Sequence, residues 1–162
     1  MVRQTEKYEM AANEASEIER VAKLLGGRRV LRHRLAHQLD VHEFIDRGLP
    51  RAALTSLFEK IVLLHTADFF ERGVGMNLRT FQRFKIAPGK ALSKEQSGRT
   101  WKFAEILAKA TEVFGGQKEA EAWLERPAIG LEGRRPIDLL ATPAGVKLVE
   151  DYLGRIEYGV YT

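Results

Sequence analysis

Apolar residues recur along this chain at intervals of three and four, and no two alternating stretches flank a tight turn of the kind that joins paired strands. The pattern predicts helices nearly everywhere. EASEIERVAKLL, about residues 14–25, forms a first helix that stops at Gly26-Gly27, and residues 30–46 form a second, with Leu31, Leu35, Leu39 and Ile45 set among arginines and histidines. In GLPRAALTSLFEKI, Pro50 stands where a first helical turn tolerates proline, and Leu54, Leu57, Phe58 and Ile61 share one stripe. That helix faces a core.

TADFFERGVGMNLRTFQRFK reads as two short helices around a turn containing Gly73 and Gly75, the second opened by Asn77 as its cap. Two short helices across a glycine turn suggest a helix-turn-helix. In the second helix Leu78, Phe81 and Phe84 are spaced to pack inward, while Arg79, Gln82 and Arg83 fall at i, i+3 and i+4 on the other side. Arginine and glutamine pair bidentately with guanine and adenine edges in the major groove, so these three are candidates for base or phosphate contact; an ordinary solvated face is the alternative. Thr80 lies beside them, within reach of a phosphate.

After APGKA, Ser93 and Gln96 have capping-box spacing and start a long helix. Its packing stripe of Trp101, Ala104, Ile106, Leu107, Ala110, Val113 and Phe114 closes at Gly115-Gly116, and the helix joins the two halves of the chain. QKEAEAWLERP is a short helix halted before Pro127, with Trp123 and Leu124 inward. The loop AIGLEGRR leads to Pro136 and a further short helix carrying Ile137, Leu139 and Leu140. Thr142 then caps a last helix, with Pro143 at its first position and Val146, Val149, Leu153 and Ile156 on one face beside Leu148 and Tyr152. That apolar arc is broad, as expected of a helix that also packs on another chain. The aromatic tail EYGVYT that follows is less polar than a merely solvated end.

Composition narrows the function. With 162 residues and 44% hydrophobic content the chain folds, and it holds neither an apolar run long enough to cross a bilayer nor a secretion signal. A cytoplasmic protein without membrane contact is expected. The absence of cysteine excludes disulfides and thiolate metal sites; His33, His37, His42 and His65 lie near no second cluster of carboxylates at ligand spacing, so no metal is expected. No phosphate-cradling glycine motif and no nucleophile elbow occurs, so neither a cofactor nor enzymatic activity is expected. The net charge of +4 is unevenly spread: from Arg72 to Lys102 there are eight basic residues and a single acid, Glu95. Such an excess is the footprint of phosphate-backbone binding.

Three stretches taken together resemble the Xre/MbcA/ParS family of antitoxins, the partners of RES-domain toxins. They are GLPRAAL with LRTFQRFK and ALSKEQSGR, the join AKATEVFGGQKEAEAWLERPAIGLEGRRPIDLL, and the terminal TPAGVKLVEDYLGRIEYGVYT. The resemblance covers about residues 39–162. It implies an all-α molecule in two parts, an Xre-like helix-turn-helix domain at 48–105 and a small helical toxin-binding domain at 106–162; the helical leader at 1–47 that precedes them is read from periodicity, and the family says little of its first 25 residues. The first part would bind operator DNA and autoregulate the operon; the last would inhibit a RES-domain, NAD-degrading toxin by occluding its active site. The resemblance carries DNA contact onto Arg79, Thr80, Gln82 and Arg83, and toxin contact onto Arg155, Tyr158, Gly159, Val160 and Tyr161. Phe81 stands where the family has an aliphatic residue and Phe84 where a further arginine is common. Arg134, Arg135, Pro136 and Asp138 match the loop that holds the small domain together, and Gly145 a glycine needed for close helix packing. A homodimer, or a larger hetero-oligomer with toxin, is expected. A stand-alone helix-turn-helix regulator that uses its C-terminal domain to dimerise is the alternative.

Overall fold

The computed structural model describes residues 1–159, and among them it contains nine α-helices and no strand. In chain order these are α1 Val2–Leu24, α2 Gly27–Leu31, α3 Gln38–Arg47, α4 Arg51–Lys60, α5 Ala67–Val74, α6 Leu78–Phe84, α7 Lys94–Phe114, α8 Gln117–Glu125 and α9 Pro143–Glu157. Short 3₁₀ turns at Val62–His65, Ile129–Leu131 and Pro136–Leu139 complete the fold. None of the described helices is long and apolar enough to cross a membrane.

Two helices differ from what periodicity predicts. The first starts at Val2 rather than near residue 14, because RQTEKYEMAANEA is rich in strong helix formers although it has no apolar stripe. Propensity, and not burial, carries that half: residues 1–10 are all exposed, and burial begins with Ile18 and Val21. The expected helix over 30–46 is broken in two. Arg32 adopts a left-handed conformation with φ 58°, and Asp40 Oδ2 accepts the backbone N–H groups of Ala36 at 2.9 Å and His37 at 3.0 Å. A carboxylate that takes those donors opens a new helix instead of letting the old one continue. Those same two bonds hold the Asp40 carboxyl below its usual pKa. Restarting at Gln38 turns Val41 and Phe44 inward and leaves Leu39, expected in the core stripe, 66% exposed.

Helix α7 is the axle. Ser93 caps it by accepting the Gln96 N–H at 3.1 Å, and Gly115 ends it in a left-handed conformation. Between them Ser97, Thr100, Trp101, Phe103, Ala104, Ile106, Leu107 and Ala110 are buried, a set that faces several directions at once. Accordingly α1, α3 and α5 pack on it from the first half of the chain and α8 and α9 from the second. One hydrophobic core results, from Ile18 near the start to Leu153 near the end.

The buried Ser97 fixes the entry to α4. Its hydroxyl oxygen accepts the Leu49 N–H at 2.8 Å, while the Leu49 carbonyl accepts from Leu92 N–H at 2.7 Å. Removing the hydroxyl leaves a buried donor without its acceptor. Ser97→Ala is therefore expected to lower the stability measured by chemical denaturation by about 1–3 kcal/mol; an unchanged midpoint would mean that Leu49 finds another acceptor.

Candidate functional site

The α5–α6 corner is built around three phenylalanines. Phe70 of α5 and Phe81 of α6 lie 5.1 Å apart, and Phe58 of α4 is 5.8 Å from the first and 4.9 Å from the second. Phe81, aromatic where the family pattern is aliphatic, thus fills a ring cluster and is 1% exposed. Leu78 and Phe84 are half-buried beside it. Gly73 belongs to α5 and packs on Phe103, so the turn rests on Gly75 alone, at φ +73°. That left-handed conformation strains any side chain, and a Cβ there would stand 2.9 Å from the Arg99 guanidinium, which would have to move aside. Arg99 Nη2 donates to the Arg72 carbonyl at 2.8 Å, tying α7 to the end of α5, and desolvation lowers its pKa.

Asn77 accepts the Thr80 N–H at 2.8 Å and starts α6. On the face turned away from Phe81, Arg79, Gln82 and Arg83 are exposed and Thr80 is half-buried, its hydroxyl 3.5 Å from Arg83 Nη2. The four residues thus lie together at one surface. The basic run around them divides in two. Arg72 pairs with Asp68 and Asp138, Lys94 with Asp46, and Lys102 with Glu105 and Glu150. Among the described residues Arg79, Arg83, Lys85, Lys90 and Arg99 enter no ion pair, so four of the five unpaired cations of this run stand on α6 and the loop after it.

The second surface lies on α9. Lys102 reaches Glu150 at 2.9 Å and Lys109 reaches Glu157 at 2.7 Å, two rungs with equal spacing on both helices, so α9 runs alongside α7 in the same direction. Thr142 caps it by accepting the Gly145 N–H at 3.0 Å. Gly145 lies so close to the preceding turn that an added Cβ would stand 1.9 Å from the Leu139 carbonyl oxygen. Arg135 donates twice to Asp138, at 2.8 and 2.9 Å, and Arg72 of α5 reaches the same carboxylate at 3.0 Å. Those hydrogen bonds, Arg135 first, outweigh burial and hold the Asp138 carboxyl below its usual pKa. Arg134 remains exposed, and its carbonyl accepts the Ala128 N–H at 3.0 Å.

Toward its end α9 presents a mixed face. Trp123 is half-buried between Phe114, 5.3 Å away, and Tyr152, stacked at 6.1 Å, and Arg155 sits 5.6 Å over the other aromatic partner, the Tyr152 ring. Tyr158 is 81% exposed and Gly159 follows it at φ +69°. Val160 and Tyr161 lie outside the described residues. Two exposed apolar residues border this face: Leu148, one turn before Tyr152, and Ile129, in the loop that packs Gly130 against the Tyr152 ring. Sequence reading places Leu148 beside the apolar arc but gives no signal for Ile129, an isolated apolar residue in an aperiodic loop.

Comparison with known proteins bears on the second surface. The family model described as the antitoxin Xre/MbcA/ParS C-terminal toxin-binding domain matches residues 109–159, the segment from Lys109 through α8 and α9. A protein named Antitoxin Xre from Yersinia enterocolitica is 30% identical over 130 residues, covering 71% of this chain and 87% of its own length. Antitoxin Xre of Pseudomonas putida is 32% identical over 125 residues, covering 77% of this chain and 76% of that protein. A third, from Photorhabdus laumondii, is 32% identical over 90 residues.

Gly145→Ala tests the close approach directly. Forcing α9 away from the Leu139 carbonyl is expected to cost about 1–3 kcal/mol in thermal or chemical unfolding, as overpacking does elsewhere. Stability equal to that of the parent would mean that α9 has room to shift.

Proposed function

The chain belongs to the Xre/MbcA/ParS family of antitoxins, and from that premise we propose that it inhibits a RES-domain, NAD-degrading toxin with α9 and represses its own operon with α6. As an antitoxin it is a non-enzymatic regulator with a toxin for partner. The identity of the toxin, operator binding, a homodimeric or larger hetero-oligomeric assembly, a cytoplasmic location, and the division of labour between residues 48–105 and 106–162 are parts of the proposal.

One observation carries the toxin half: the family match at 109–159 ends on a helix whose last turn is pinned to α7 through Lys109–Glu157 while Tyr158 stands free. A tyrosine on an already ordered helix end has few side-chain torsions to freeze on binding, which favours affinity for a concave pocket. Arg155, Tyr158 and Gly159, with Val160 and Tyr161 beyond them, would lie across the mouth of the toxin's NAD pocket and exclude the dinucleotide. Inhibition then needs no chemistry from this chain.

The DNA half is supported by the exposed Arg79, Gln82 and Arg83 on a helix anchored through Phe81, with Thr80 at the capped first turn. Arg79 and Arg83 reach guanine edges or phosphates and Gln82 an adenine edge, a set of contacts suited to a helix lying in the major groove. Two copies of such a helix about one DNA turn apart would read a two-fold operator.

The first experiment is co-purification with the product of the neighbouring gene, followed by an assay of NAD loss by that product. A stable complex that halts NAD loss is expected; a complex that leaves turnover intact would overturn the occlusion mechanism. Deleting residues 158–162 is expected to restore most of the NAD loss while operator binding persists. On the other surface, the double change Arg79→Ala with Arg83→Ala is expected to weaken operator binding by about 10- to 100-fold and to leave toxin binding alone. Unchanged operator affinity would remove α6 from the DNA interface.

A further inference from the structure

The motif GLPRAAL contains a cation that neither surface has so far explained. Arg51 is the first residue of α4, and its guanidinium carbon lies 3.8 Å from the centre of the Phe84 ring. The backbone places it there. Arg51 N–H donates to the Lys90 carbonyl at 2.8 Å and Ala52 N–H to the Pro88 carbonyl at 3.0 Å, so the loop that leaves α6 is bonded to the first turn of α4. Phe84, the last residue of α6, supplies the ring face on which the guanidinium rests.

This cation is uncompensated. Its Nε is buried without a hydrogen-bond partner, and Arg51 enters no ion pair among the described residues. Between Glu71 and Glu95 the sequence has no acidic residue, and the same junction carries Lys85 and Lys90. Lys85 likewise lies over rings, 5.2 Å from those of Phe58 and Phe81. A guanidinium held over an aromatic ring has lost much of its freedom and can present its remaining N–H groups to an anion. The DNA backbone flanks the groove that the neighbouring helix would occupy.

We propose that Arg51, stacked on Phe84, is a phosphate-contacting residue of the DNA interface, supplying from α4 the positive charge that an aromatic residue at position 84 leaves out of α6. The inference rests on the DNA reading given above. It assigns Phe84 a role as well: the ring is the platform that aims a guanidinium from another helix, and Phe84 itself touches no DNA.

The test uses the full chain and two duplexes, one of the DNA immediately upstream of its own reading frame and one scrambled at equal composition, titrated over a series of salt concentrations. For Arg51→Gln, affinity is expected to fall by about 5- to 10-fold on both duplexes alike, and the slope of log K against log salt to shrink by about one, as for loss of one phosphate contact. Arg51→Lys keeps the charge without the planar stack and is expected to retain the slope while losing part of the affinity. Phe84→Leu is expected to weaken binding in the parent and to add nothing in the Arg51→Gln background. Should Arg51→Gln fail to fold by thermal unfolding, Arg51→Lys and Phe84→Leu decide the question: parental affinity in both would overturn the inference. An unchanged salt slope in folded Arg51→Gln would overturn it alone, leaving the Arg79 and Arg83 assignment standing. If the parent chain bound neither duplex, the DNA reading and this inference would fall together.

Discussion

Helix α7 buries side chains in several directions along one rod, and α1, α3, α5, α8 and α9 take their positions from it. Trp101, Phe103, Ile106 and Leu107 alone each contribute about 1.5–3 kcal/mol of burial, so a helix that left any of these faces uncovered would be unstable. Covering them recruits α1, α3 and α5 from one half of the chain and α8 and α9 from the other. The two surfaces assigned above to DNA and to toxin are therefore faces of one packed body. Helix α9 packs on the rod directly, and α6 is carried by α5, which packs on it.

Ion pairs refine that arrangement more than they stabilise it. Exposed pairs contribute about 0–1 kcal/mol each, so the pairs of Lys102 with Glu150 and Lys109 with Glu157 matter chiefly for the direction and register of α9. The cluster of Arg72, Asp68, Arg135 and Asp138 joins α5 to the turn that precedes α9, and it removes Arg72 from the pool of free cations. Within the run from Arg72 to Lys102, the cations left unpaired include Arg79, Arg83, Lys85 and Lys90, on α6 and the loop after it.

The aromatic residues show how one sequence departure draws in others. A phenylalanine at 81 needs more room than an aliphatic residue, and Phe58 and Phe70 form the ring cluster that receives it. A phenylalanine at 84 removes a possible charge from α6 and provides a surface for Arg51. At the other end Trp123 and Tyr152 stack, and Gly130 is small where the Tyr152 ring comes within 2.2 Å of an added Cβ. Small and large residues in this chain are matched across elements far apart in sequence.

Much of this was legible from the sequence. The caps at Asn77, Ser93 and Thr142, the stop at Gly115 and the inward placement of Phe81 against an outward Arg79, Gln82 and Arg83 all follow from spacing within a turn or two. These are local rules, and side chains three or four positions apart obey them wherever the helix lies. The full length of α1 was also written locally, in helix propensity, although its lack of an apolar face hid it from a reading based on periodicity. The break after Arg32, which makes Leu39 a surface residue, was local too, set by Asp40 within four residues of the donors it takes. Tertiary structure decided the parallel course of α7 and α9. It also decided which basic residues are neutralised and which ring Arg51 rests on. Each of those outcomes depends on a partner that the chain brings back from a distance, and composition or periodicity records only that such partners exist.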